Sequence, residues 1–158
     1  MSVDHFNSYA AFDASVIALL GQAESSIRIF DVDLTIGPLA SARAAEMMAT
    51  MLHRNARAEV TVLLHQSRHM VTECPRLVTL YQRRTHQIQI LQTSPRHQEF
   101  LQPFMLVDGE HLVTRFHADH PRGKLCLDDP AEAVPFQLRF DELREAATPV
   151  PGLAMLNI

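Results

Sequence analysis

The chain has 158 residues, 47% hydrophobic and 20% charged, with a formal net charge of −4. A chain this long can bury about 70% of its unfolded surface, so it needs no staple, and two cysteines (Cys74 and Cys126) exclude a disulfide-rich scaffold. The longest apolar run, Val16 to Leu20, is far short of the roughly 18 residues that span a bilayer. The opening Met-Ser-Val-Asp-His5 lacks the basic-then-apolar pattern of an export signal, so a reduced cytoplasmic setting is expected.

The charge is unevenly spread. Residues 1–52 carry a net −4, residues 53–97 a net +5 and residues 98–158 a net −5. The basic third also holds His53, His65, His69, His86 and His97. Such a band suits an anionic ligand or an acidic surface of a second copy; it also suits a solvated helix face. Lys124 is the only lysine, so any mechanism that needs one must use it.

No repeat, low-complexity tract or linker divides the sequence, and one domain over residues 1–158 is expected. Tyr9, Phe12, Val16 and Leu19 recur at helical spacing, with Asn7–Ser8 to cap the start and Gly21 to end the run. Ser26 to Phe30 alternates and predicts a strand. Pro38 suits a first helical turn, and Leu39 to Arg54 is rich in Ala, Met and Leu, predicting a helix. Glu59 to Leu64 is a β-branched, mostly apolar run, predicting a strand covered on both faces. A helix from Pro75 to Thr85 and an alternating strand from Gln87 to Leu91 follow. Between two apolar runs, Asp108-Gly109 is the type I′ signal for a hairpin over Phe104 to Phe116. The segment from His117 to Asp128 is polar and is expected to be a loop. Asp129-Pro-Ala-Glu132 has the capping-box pattern, and Phe136, Phe140, Leu143 and Ala147 mark a last helix. Pro135 requires that helix to kink there or to begin nearer Val134. The expected fold is α/β, a mixed sheet with helices on both faces.

Asp31-Val-Asp33-Leu-Thr35, directly after a strand, resembles the opening motif of haloacid-dehalogenase-like phosphohydrolases. That resemblance implies a Mg²⁺-dependent reaction in which Asp31 attacks phosphorus and Asp33 moves the proton, with Ser67 as the phosphate-binding hydroxyl. The rest of that pattern is missing. The only adjacent aspartate pair, Asp128-Asp129, lies four residues beyond Lys124 and opens a helix, and Leu34 stands where glycine is usual. The plain alternative places Asp31 and Asp33 in a strand-to-helix loop, capping the helix behind Pro38.

Phe104-Met-Leu-Val-Asp108-Gly109, behind an α/β unit and ahead of a Phe-rich helix, resembles the half-domain of the phospholipase D superfamily. The superfamily motif is His-x-Lys-x₄-Asp, its aspartate just before a hairpin turn. Counting back from Asp108 puts Leu101 at the histidine position and Pro103 at the lysine position. Leucine carries no nucleophile, and proline lacks even a backbone N–H. Ser26 to Leu34, Pro75 to Arg84 and Phe140-Asp-Glu-Leu143 resemble, more narrowly, an uncharacterised bacterial family of phospholipase-D-like domains without the motif, over residues 16–150. The resemblance implies a domain with no hydrolase activity and no cofactor, a two-fold homodimer, and a possible acetyltransferase partner, since members occur alone or joined to such a domain.

Two histidine clusters have spacings that could suit a metal. His65 and His69 are four apart and His117-Ala-Asp-His120 forms a second cluster, but no partner completes either set, and no metal is expected. His65, Arg68 and His69 lie where α/β sheets bind ligands and form the candidate anion site. Nucleic acid is not expected: the net charge is negative, and two tyrosines and no tryptophan offer little for stacking. On the second hairpin strand, His111, Val113, Arg115 and His117 share one face, which should lie at an edge, pair with carboxylates or line a cleft.

Overall fold

The computed structural model describes residues 2–153. Its strands are β1 (Ser2–Asn7), β2 (Ser26–Asp31), β3 (Glu59–Leu64), β4 (Ile88–Gln92), β5 (Phe104–Val107), β6 (His111–Arg115), β7 (Arg122–Leu127) and β8 (Thr148–Pro149). They form one sheet in the order β1-β7-β6-β5-β2-β3-β4-β8. β2, β3 and β4 run parallel, and the other neighbours pair antiparallel, giving the mixed sheet expected.

Helices cover both faces. On one lie α1 (Tyr9–Gln22), α2 (Ala42–Arg54), α3 (Arg68–Glu73) and α4 (Pro75–Arg83), packed on Ile27, Ile29, Val60, Val62, Ile88 and Ile90. On the other, α5 (Pro130–Glu145) closes a smaller core over Phe30, Leu63, Phe104, Leu106 and Leu112. Strand alternation sorts each strand's residues between these cores, so most of the central positions are apolar on both sides.

Local chemistry sets the boundaries. Ser8 accepts a hydrogen bond from the Ala11 N–H at 3.1 Å and caps α1, which runs one residue past Gly21. The second helix begins later than predicted. Pro38 sits in the preceding turn, where its carbonyl accepts from the Ser41 hydroxyl at 2.6 Å, and Ser41 in turn caps α2 through the Ala44 N–H. Asp129 caps α5 by accepting from the Glu132 N–H at 3.2 Å, as the capping box predicts. Pro135 lies inside α5 and has no N–H to donate to the carbonyl of exposed Ala131 one turn earlier. The predicted loop from His117 to Asp128 contains β7, and β1, α3 and β8 were not predicted.

Asp108 and Gly109 both have positive φ, 56° and 71°, as the type I′ turn requires. The Asp108 carboxylate does more than turn the chain. It accepts from the backbone N–H groups of Glu24, Ser25 and Ser26 and from the Ser25 hydroxyl, at 2.8 to 3.0 Å for the shortest contact of each. One side chain thus fastens the hairpin to the start of β2. Partial burial pushes the Asp108 carboxyl up, and these four donors outweigh it, holding it below the ordinary carboxylate range. Its contribution to stability is therefore present above the unfolded value near 4 and is lost as pH falls through the lower folded value. Asp108→Asn keeps the turn geometry and loses the charge. It should cost about 2 kcal/mol near neutral pH, with urea midpoints converging on wild type as the medium is acidified. A constant difference down to pH 2 would overturn this account.

Candidate functional site

The C-terminal ends of β2, β3 and β4 meet the start of β5 and the end of β6 at one rim of the sheet, the location where open α/β sheets bind ligands. Leu101 and Pro103 sit there. The Leu101 carbonyl accepts from the Ala118 N–H at 2.8 Å; the Pro103 carbonyl accepts from the Arg115 N–H at 3.1 Å and the Thr114 hydroxyl at 2.8 Å. Both positions are held by backbone pairing, and neither offers a reactive side chain. Asp108, at the far end of β5, works structurally. Leu101 and Pro103 therefore lie beyond one end of β5 and Asp108 beyond the other.

Beside Pro103 is a buried charge pair. Arg115 is 1% exposed and Asp31 7%, with an Arg115 Nη2 to Asp31 Oδ1 distance of 4.0 Å. Arg115 Nη1 also donates to the Ala118 carbonyl at 2.8 Å, and its guanidinium lies over the Phe12 ring at 4.8 Å. Its Nε is buried without a hydrogen-bond partner. Burial pushes the Asp31 carboxyl up to about 6, against the pull of Arg115 and the Val32 N–H. The predicted His/Arg face thus pairs with carboxylates, although β6 is a central strand. Asp31 is walled in by protein, and Asp33 accepts from the N–H and hydroxyl of Thr35 in a local turn. Neither aspartate caps α2, which Ser41 does.

His65 follows β3 and is 4% exposed. Its Nε2 lies 2.7 Å from the Phe100 carbonyl, which can only accept, so Nε2 carries the proton. Nδ1, 2.5 Å from the Thr93 hydroxyl, must then accept. Burial holds the ring neutral by lowering its pKa, and the edge of Phe30 closes the remaining side. Both nitrogens are occupied, which leaves no lone pair for attack on phosphorus. Arg68 opens α3 and is exposed; His69 is half-buried on the same helix. The spacing of His65 and His69 is not a helical one, because α3 begins after His65.

At the opposite rim, Glu110, His111 and Asp128 bring potential ligand atoms within 4.8 Å of one another. The chemistry of the donors argues against a metal. His111 Nδ1 accepts from the Asp128 N–H at 3.0 Å, which puts the ring proton on Nε2, towards Glu110 at 3.8 Å. Neither nitrogen has a lone pair to give unless that bond breaks. In the His117–His120 loop, His117 Nδ1 is likewise used, by the Asp119 N–H at 3.0 Å.

Sequence reasoning did not find the Asp31–Arg115 pair. The two residues are 84 positions apart; the only signal was the alternation that put a cation on a covered face.

Comparison with solved structures shows the fold. Nuc from Salmonella typhimurium, a phospholipase D family member, superposes with a TM-score of 0.67 at 13% identity, over 94% of this chain and 97% of that one. TrmBL2, an archaeal chromatin protein with a novel mode of DNA binding, gives 0.71 at 14% identity, covering 95% of this chain. Phosphatidylserine synthase from Haemophilus influenzae Rd KW20 gives 0.63 at 11% identity over 94% of this chain. The chain spans about half of TrmBL2 (54%) and 39% of the synthase. No curated protein matches by sequence. The sheet and its helices are of the phospholipase D type. A family model matches residues 8–156, and the chain belongs to the family described as domain of unknown function DUF7931.

Proposed function

We propose that this protein is a non-catalytic phospholipase-D-like domain that works as a binding or interaction module in the bacterial cytoplasm. The observation that carries this reading is the pair Leu101 and Pro103 at the rim where a nucleophile and a cation would be needed, with His65, a buried imidazole at the end of β3, neutral and bonded through both nitrogens. Exposed Arg68 beside His69 is the surface offered to an anionic ligand. An acetyltransferase encoded nearby is the partner that the family resemblance suggests. The test is turnover of bis-p-nitrophenyl phosphate and p-nitrophenyl phosphate, each with and without Mg²⁺. No turnover above buffer is expected, and diester hydrolysis that survives purification and is lost in His65→Ala would overturn the reading. Monoester turnover lost in Asp31→Asn would instead favour a Mg²⁺-dependent phosphohydrolase.

The module is proposed to act as a two-fold homodimer. Val134 and Leu138, on successive turns of α5, are 53% and 65% exposed, an apolar stripe that a second copy of α5 would cover. Sedimentation should give about twice the chain mass at micromolar concentration, each covered leucine contributing about 1.5–3 kcal/mol. Leu138→Glu should give the monomer mass with an unchanged circular dichroism spectrum. A monomeric wild-type protein at high concentration would refute the dimer.

A further inference from the structure

We propose that the groove between α2 and α4 is a docking site for an acidic amphipathic helix of a partner protein. The groove has a volume of about 530 Å³, and its floor is Ala45 and Ala49 of α2 with Pro75 and Leu80 of α4. The small alanine side chains let a third backbone approach closely, and about 530 Å³ is room for several apolar side chains. Arg76 and Arg83 stand on the α4 wall, both exposed, and neither has an ion-pair partner among the described residues.

Their spacing defines what fits. Seven residues on a helix rise about 10.5 Å, so Arg76 and Arg83 present two guanidinium groups two turns apart, with Leu80 between them. A partner helix with two carboxylates seven positions apart and an apolar residue between repeats that spacing, and can set each acid against an arginine while its apolar stripe covers the alanines. Glu46, on the opposite wall, repels acids there and fixes which edge of the partner faces α4. Exposed Arg43 and Arg54, on the side of α2 that borders the neighbouring α1–α2 groove, add to the positive sign of this helical layer.

This inference deepens the interaction-module reading and rests on it, and the two can fail separately. The probe is a fluorescein-labelled helical peptide with glutamates seven positions apart flanking a leucine, compared with a scramble of identical composition. Anisotropy should show binding to the full-length protein that beats the scramble and weakens as salt is raised. Arg76→Glu with Arg83→Glu should weaken it at least about tenfold, with the far-ultraviolet spectrum retained. A peptide carrying lysine in place of glutamate should bind the reversed variant instead. Equal binding to peptide and scramble, indifference to the double reversal, or no binding at about 1 mM peptide would overturn the site. Tighter binding of duplex DNA, lost in the same variant, would overturn it in favour of a nucleic acid. Diesterase activity with peptide binding intact would sink the non-catalytic reading and leave the groove standing.

Discussion

Arg115→Met is expected to destabilise the protein by about 3 kcal/mol at neutral pH, and by less below pH 5. The methionine fills the space of the arginine stem, so the loss is electrostatic rather than a cavity. It strips the Ala118 carbonyl of its donor and leaves Asp31 buried without its cation partner. The pH dependence follows from Asp31. Its folded pKa, about 6, lies above the ordinary carboxylate value of 3.8, so between the two the folded chain holds a proton that the unfolded chain releases. Stability from this group is fully present below about 4 and falls as pH rises through 6, by about 3 kcal/mol in all. In wild type, Arg115 limits that fall; in Arg115→Met the Asp31 pKa rises further and the decline continues to higher pH. At pH 5 Asp31 is mostly protonated in both proteins and their difference narrows. Asp31→Asn should be nearly flat over the same range. Urea unfolding of wild type, both single variants and the double variant closes a cycle, in which a coupling of about 1–3 kcal/mol is expected at pH 7. A coupling near zero would mean that the 4.0 Å pair contributes nothing.

The parts of the fold that could be read from the sequence are those whose signal is local. Asp108-Gly109 specified the hairpin because few dipeptides tolerate two positive φ values in succession. The alternation in Ser26 to Phe30 and the apolar run in Glu59 to Leu64 marked strands because each has a covered face. β1 has no such signal: Ser2–Asn7 is an edge strand whose residues are nearly all exposed, so nothing in it had to be apolar. β7 was hidden for a different reason. Lys124 points to the α5 side and pairs with Glu132 at 2.8 Å, so a charge satisfied by the next helix looked like loop polarity. α3 is a turn and a half, cut off from α4 by Pro75, too short for periodicity to register.

The site was legible mainly by subtraction. The count back from Asp108 led to Leu101 and Pro103, which the structure puts at the ligand-binding rim, because spacing along an extended segment is fixed. The buried pair at the same rim was not visible, because Asp31 and Arg115 join β2 to β6 and no spacing rule links residues that far apart. The Asp-x-Asp run misled for the same reason: Asp31 ends a buried strand, and only the packing shows that its carboxylate faces Arg115 and not solvent. His65 also looked like a ligand until the Phe100 carbonyl and the Thr93 hydroxyl fixed its tautomer.

Gly123→Ala should cost about 3 kcal/mol and lower the melting temperature by about 6–12 °C. Gly123 faces Arg115 across the β6–β7 ladder and Phe6 across the β1–β7 ladder. A Cβ there would lie 2.0 Å from the Thr114 carbonyl oxygen and 2.7 Å from the Phe6 ring. The ring can swing away, because Phe6 belongs to an edge strand. The carbonyl oxygen is part of the backbone of a central strand, and moving it shifts Arg115 beside it. Phe6→Ala in the same chain should therefore recover little of the loss, and amide exchange should accelerate along β1 and β7 before the β2–β3–β4 core. Gly21→Ala is the contrasting change: the exposed helical position meets only the Met47 terminal methyl at 3.8 Å, and a gain of about 0.5–1 kcal/mol is expected. If Gly123→Ala melted with wild type, the register that sets β7 between β1 and β6 would be wrong, and with it the placement of Arg115 against Asp31.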